Sequence, residues 1–242
     1  SLYQAGQLQQ AEQICQQILR DFPRYADALH LLGVIAYQVG ENKIATSLIT
    51  QAIEMDSNQS SFFYSLGNVL KEQGRLEESV EAYQRAIHLQ PNYPEAYNNL
   101  GNALQGQGRL EESIEAYQRA IHLQSNHPEA YNNLGIVLKK QGRLEESVEA
   151  YQQAIHLQPD HVGAHSNLGV ALQEQGKLEE SIQAYQRAIH IQPDHVGTYN
   201  NLGNALQEQG KLEESIQAYQ RAIHLQPDHV GTYNNLGNAL QE

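Results

Sequence analysis

The sequence predicts an all-α solenoid of antiparallel helix pairs. Three observations predict it: a strict 34-residue period, two amphipathic helical faces within each period, and glycine or proline at the joints. The period is carried by a glycine that follows leucine: Gly33, Gly67, Gly101, Gly135, Gly169, Gly203 and Gly237. A second series keeps the same step: Gly6, Gly40, Gly74, Gly108, Gly142, Gly176 and Gly210. Such regularity leaves no room for a separate domain or linker.

The copy beginning at Pro94 shows how each period reads. Over Pro94–Gln107, Tyr97, Leu100, Gly101 and Leu104 fall at i, i+3, i+4 and i+7, one face of a first helix. Gly108 follows and supplies the left-handed residue that ends it. A second helix is predicted over Leu110–Gln124, with Leu110, Ile114, Tyr117, Ala120 and Ile121 on its apolar face. Glu111 and Glu112 occupy its first turn, where carboxylates suit the positive helix end. Pro91, Pro159, Pro193 and Pro227 stop the equivalent second helices. Gly101 and Ala120 keep the two helices thin where they pack. One such hairpin cannot bury its apolar faces alone, whereas stacked copies bury a continuous core. Residues 1–25 hold the end of a first helix and a whole second helix. Six complete copies follow, 26–59, 60–93, 94–127, 128–161, 162–195 and 196–229, and residues 230–242 form one further first helix.

The net charge is −13, with a pI near 5.2. That balance argues against nucleic acid or an anionic membrane surface as partner, since both need basic surface. No apolar run approaches the roughly 20 residues needed to span a bilayer. The single cysteine, Cys15, permits no internal disulfide, and with no signal-peptide pattern the expected location is cytoplasmic. Ser1–Gln4 correspond in register to Ala239–Glu242, so both ends break the repeat at the same point. A fragment of a longer protein is expected, with head-to-tail self-association in which helix 230–242 docks near helix 6–20 of the next molecule.

The 34-residue pair of helices with this placement of small and large residues resembles the tetratricopeptide repeat. One copy reads Tyr199, Leu202, Gly203, Leu206, Ser215, Tyr219, Ala222 and Pro227. It departs from the family pattern in Tyr for the usual first Trp, Leu for the second aromatic and Ser for the first Ala. Ser57 and Ser125 replace the proline in two copies. The resemblance implies a right-handed superhelix whose first helices line a concave surface, and a role in protein binding rather than catalysis.

Asparagine is a poor helix former, yet "YNNLGNAL" stands at Tyr97–Leu104, Tyr199–Leu206 and Tyr233–Leu240. On a wheel of about 100° per residue, Asn200, Asn201 and Asn204 lie opposite Tyr199, Leu202, Gly203 and Leu206. Stacking would align Asn99, Asn133, Asn167, Asn201 and Asn235 in one row. A second row holds Asn98, Asn132, Asn200 and Asn234, interrupted by Ser166. A third holds Asn68, Asn102, Asn204 and Asn238, interrupted by Ile136 and Val170. Uncharged amides that both donate and accept suit an extended polypeptide backbone. The rows are also similar to the superhelical region of O-linked N-acetylglucosamine transferases, which implies that they hold a peptide's backbone. The alternative is structural: adjacent amides bridge repeats, or are simply inherited by duplication. Asn102 and Asn133 match part of a carboxylate clamp known in the family, but Asn98, Gly163 and Asn167 stand where cations are wanted, which argues against that activity. Lys71, Lys139 and Lys140 are the cations on the inferred concave stripe of the complete copies, and Lys139 and Lys140 join the candidate peptide contacts.

Neither a metal nor a cofactor is expected. His88, His122, His156, His190 and His224 form one ladder and His127, His161, His195 and His229 another. Members of a ladder stand a repeat apart, about 10 Å at helix-packing spacing, too far to share one ion. Glu111–Glu112 and its copies read as solvated first turns, and Cys15 and the tyrosines Tyr83, Tyr117, Tyr151, Tyr185 and Tyr219 read as core. The expected function is that of a non-catalytic scaffold for an extended protein or peptide segment. The rivals are a structural spacer or self-assembling solenoid, and the substrate-recognition arm of a larger glycosyltransferase-type enzyme.

Overall fold

A computed structural model describes residues 7–241. Gly6, and the parts of the proposed end-to-end contact that fall on residues 1–6 and 242, lie outside them. The described residues form fourteen α-helices and no strand. The chain divides into two compact units, residues 1–125 and 126–242.

The first unit contains α1 (Leu8–Asp21), α2 (Ala26–Gln38), α3 (Asn42–Met55), α4 (Ser60–Glu72), α5 (Leu76–Leu89), α6 (Pro94–Gly106) and α7 (Leu110–Leu123). Here α2 pairs with α3, α4 with α5 and α6 with α7, each second helix packs on the next first helix, and neighbouring first helices touch. The second unit repeats this with α8 (Pro128–Lys140), α9 (Leu144–Leu157), α10 (Val162–Glu174), α11 (Leu178–Ile191), α12 (Val196–Glu208), α13 (Leu212–Leu225) and α14 (Val230–Ala239).

The joints follow from local chemistry. Gly108 has φ +75°. Its N–H donates to Gln105 O at 3.0 Å and that of Arg109 to Leu104 O at 3.0 Å. This is the Schellman arrangement that satisfies two orphaned carbonyls at a helix end, and Gly40, Gly74, Gly142, Gly176 and Gly210 share the positive φ. At the other joint, α7 stops at Leu123 although Ser125 replaces proline. Gln124 there takes the extended backbone found at Gln158 and Gln192, and its N–H closes on Ala120 O at 2.9 Å. Packing sets this joint, and proline only reinforces it.

Each complete pair from α4 onward carries the same core device. Tyr83, Tyr117, Tyr151, Tyr185 and Tyr219 have 0% exposure. Each lies against the glycine of its partner helix so closely that a Cβ on Gly101 would stand 2.6 Å from Tyr117 Cε1. The serine that departs from the family pattern has a reason here. Ser113, fully buried, donates its Oγ–H to Gly101 O at 2.8 Å, and Ser79, Ser147, Ser181 and Ser215 do the same in their copies. Ring and hydroxyl thus grip one bare turn of the first helix from two sides. Cys15, at the equivalent tyrosine position, is a buried free thiol whose pKa burial pushes up.

Two glycine substitutions separate these roles. Gly101→Ala must displace the Tyr117 ring and is expected to cost about 3 kcal/mol. Gly108→Ala, with open space around its Cβ, meets only the left-handed backbone penalty of about 1 kcal/mol. Denaturant midpoints measure both, and equal losses would contradict the packing account.

Candidate functional site

Helix α6 shows how the asparagines are placed. Leu100, Gly101, Ala103 and Leu104 are buried, Asn99 reaches the neighbouring first helix α4, and Asn102 receives the hydroxyl of Tyr117 from α7. Most of these amides stand between core and solvent. Asn98 is enclosed, with 8% exposure, while Asn99 and Asn102 are half-buried. In the second unit Asn132, Asn133, Asn167, Asn200, Asn201, Asn204 and Asn235 are half-buried, and Asn234 and Asn238 are exposed.

The hydrogen bonds join the expected rows crosswise. In the first unit Asn99 Nδ2 donates to Tyr64 Oη at 3.1 Å and to Asn68 Oδ1 at 2.9 Å. In the second, Asn167 Nδ2 donates to Asn132 Oδ1 at 3.0 Å. Asn235 Nδ2 donates to Asn200 Oδ1 at 3.1 Å and Asn204 Oδ1 at 3.2 Å. The partners lie 35 or 31 residues apart, one position past the repeat or one helical turn before that. His30 Nε2 and Ser65 Oγ, 2.8 Å apart, keep the same register. Burial pushes the His30 imidazole down to about 4, so it stays neutral at ordinary pH. Tyr64, His30 and Ser65 were not among the candidate residues. Their signal was polar character at these row positions, visible once the spacing is taken as 35.

The core reaches this seam through its tyrosines. Tyr83 Oη donates to Asn68 Oδ1 at 2.7 Å, Tyr117 Oη to Asn102 Oδ1 at 2.8 Å and Tyr219 Oη to Asn204 Oδ1 at 2.7 Å. Each acceptor immediately follows the packing glycine. Where Val170 replaces that asparagine, Tyr185 Oη donates to Gln173 Oε1 at 3.2 Å. Where Ile136 replaces it, Lys139 occupies the alternative position, and Tyr151 Oη is enclosed without a partner. Desolvation pushes the Tyr151 phenol up to about 12.

The 35-residue register continues with charge near the ends of the first helices. Lys139 Nζ donates to Glu174 Oε1 at 2.8 Å, and Gln173 Nε2 to Glu208 Oε1 at 2.7 Å. Lys139 is thus held by Glu174, while Lys140 is exposed. Arg109 pairs with Glu112 across the first turn of α7 and lowers the carboxyl pKa.

The histidines have local partners. Nδ1 of His161, His195 and His229 accepts from the N–H of Ala164, Thr198 and Thr232 at 3.1, 3.3 and 3.2 Å, capping α10, α12 and α14. His165, buried at the core aromatic position, bonds Pro159 O at 2.9 Å through Nε2. Among the described residues no three His, Cys, Asp or Glu side chains gather to hold a metal, and no helix is long and apolar enough to cross a membrane.

Models of the tetratricopeptide repeat match residues 1–59 and 132–196, 92–160, and 196–229, and a model described as TPR repeat matches residues 67–108. The chain belongs to the tetratricopeptide repeat family. A search of the curated proteins found no match. Among solved structures, this tetratricopeptide repeat chain is similar over 99% of its length to the APC/C hetero-tetramer Cut9-Hcn1, with TM-score 0.80 and 17% identity, and it spans 47% of that chain. It is similar over 77% of its length to 96% of YrrB, a TPR protein with an unusual peptide-binding site, with TM-score 0.62 and 22% identity. It is similar over 88% of its length to 97% of pilF from Pseudomonas aeruginosa, with TM-score 0.76 and 17% identity. At these identities the likeness shows the fold.

The interrupted row supplies a built-in comparison. Tyr117→Phe removes a hydroxyl bonded to Asn102 and is expected to cost about 1 kcal/mol. Tyr151→Phe removes one with no partner and should be neutral or stabilising. Equal losses in thermal or denaturant unfolding would refute the assigned hydrogen bonds.

Proposed function

We propose that the chain is a protein-binding scaffold that holds an extended polypeptide segment along its first-helix face, without catalysis of its own. The observation that carries this reading is a seam of half-buried carboxamides, cross-linked to one another and anchored to core tyrosines. Asn167 spends one of its two N–H groups on its rung, while Asn99 and Asn235 spend both, so what remains is the N–H groups of the acceptors Asn68, Asn132, Asn200 and Asn204 and the carbonyl oxygens of the donors Asn167 and Asn235. The remainder suits the alternating N–H and C=O groups of an extended main chain. Because the rungs already fix the amides, little side-chain freedom is left to lose on binding, which favours affinity. The family's general role in protein–protein interaction supports the reading, as does the peptide-binding site named for YrrB.

The rungs themselves are also structural, so the test must separate the two roles. Asn201 carries no rung, because Ser166 stands across the seam and accepts instead from Thr198 Oγ1 at 3.2 Å. Asn201→Ala is expected to weaken a peptide selected from an array about fivefold, one hydrogen bond's worth, without changing the melting temperature. Asn167→Ala should lower both. Unchanged affinity in both variants would rule out peptide holding by these amides.

A second reading, head-to-tail self-association, is favoured by exposed apolar side chains. Ile14 on α1 and the adjacent Phe22 and Tyr25 are exposed, as are Val230 and Tyr233 on α14 and the adjacent Leu240. Light scattering should then show mass rising with concentration in the wild type but not in a Phe22→Ser, Tyr233→Ser double variant. A constant monomer mass would dismiss it.

A further inference from the structure

The interrupted amide row of the second unit opens a distinct place on the same face. Beside Val170, between α10 and α12, lies a cavity of about 320 Å³ lined by Gln173, Glu174, Asn201, Asn204 and Glu208, with Tyr185 behind it. We propose that this cavity is a side-chain subsite that takes an arginine or lysine from the bound segment. The proposal rests on the peptide-holding reading above and assigns that segment its chemistry.

The lining fits a long basic side chain part by part. Val170 gives the methylene stem an apolar wall where the row otherwise presents an amide. Glu174 and Glu208 offer carboxylates to the head group, and each is already held, by Lys139 Nζ at 2.8 Å and Gln173 Nε2 at 2.7 Å. Two carboxylates face one resident ammonium, so the local charge remains negative. Asn201, which bears no rung, adds a free carboxamide, and a planar guanidinium can use several such acceptors at once. A leucine in the cavity would strip water from both carboxylates without replacing it, and an acidic side chain would be repelled. The chain's net charge of −13 attracts basic segments from a distance.

Capped peptides of Gly, Ser and Ala test this, one carrying a central arginine and the other citrulline, its uncharged isostere. Calorimetric titration at low salt should show the arginine peptide binding about tenfold more tightly. The preference should fall toward equality in Glu208→Gln, an exposed position where the change keeps the fold. It should persist in Glu213→Gln, which removes the same charge from the first turn of α13. Equal binding of the two peptides, a preference that survives Glu208→Gln, or equal loss in both variants would each overturn the subsite and leave backbone holding intact. Binding of neither peptide would overturn both.

Discussion

The packing of a tyrosine ring on a glycine turn is the constraint on which the rest depends. It sets how closely the two helices of a pair approach, and a single Cβ at Gly101 or Gly203 would break it. It also decides where the phenol emerges. At Tyr83, Tyr117 and Tyr219 the hydroxyl leaves the core beside the residue that follows the glycine, and an asparagine there accepts it. Asn68 and Asn204 then accept from the next repeat's Asn99 and Asn235. One chain of contacts therefore runs from the buried core to the carboxamides of the first-helix face. A poor helix former is retained because its amide completes that chain, which offsets a propensity penalty of about 0.5 kcal/mol.

Much of this was legible in the sequence, and the rest was hidden for a definite reason. The 34-residue period, the helix bounds, the left-handed glycines and the buried tyrosines are local or periodic properties, and the helices of the complete copy beginning at Pro94 fall within a residue of where periodicity puts them, while α14 ends at Ala239, short of the expected 242. The rungs are neither local nor at the repeat period. A helical wheel treats one helix alone, so it placed Asn200, Asn201 and Asn204 opposite the core and stacked them in separate rows. The stagger between neighbouring first helices is a packing quantity, and it shifts the partners to 35 and 31 residues. Ser215 and its equivalents misled in a related way. They read only as departures from the family's alanine, yet each donates to a glycine carbonyl that only the folded hairpin brings near. The exchange of Asn for Ile136 and Val170 was visible, but its consequence for Tyr151 and Tyr185 was not.

On the proposed reading, electrostatics would divide the work of recognition. The carboxamides carry no charge and would match a main chain whatever its side chains, so in that role they would give register more than selectivity. Selectivity must come from departures from the repeat, because identical copies present identical contacts. In the second unit one such departure combines an apolar and a charged change, because the amide row yields to Val170 and the 35-residue register passes to Lys139, Glu174 and Glu208. There the fold keeps its geometry while the face changes its chemistry.

The most direct measurement of the central claim is the response of the asparagine side-chain NH₂ resonances to a bound peptide. The account predicts that the signals of Asn132, Asn167, Asn200 and Asn201 shift together on titration, while backbone signals from α9, α11 and α13 stay in place. Shifts confined to those second helices, with the carboxamide signals unmoved, would contradict it.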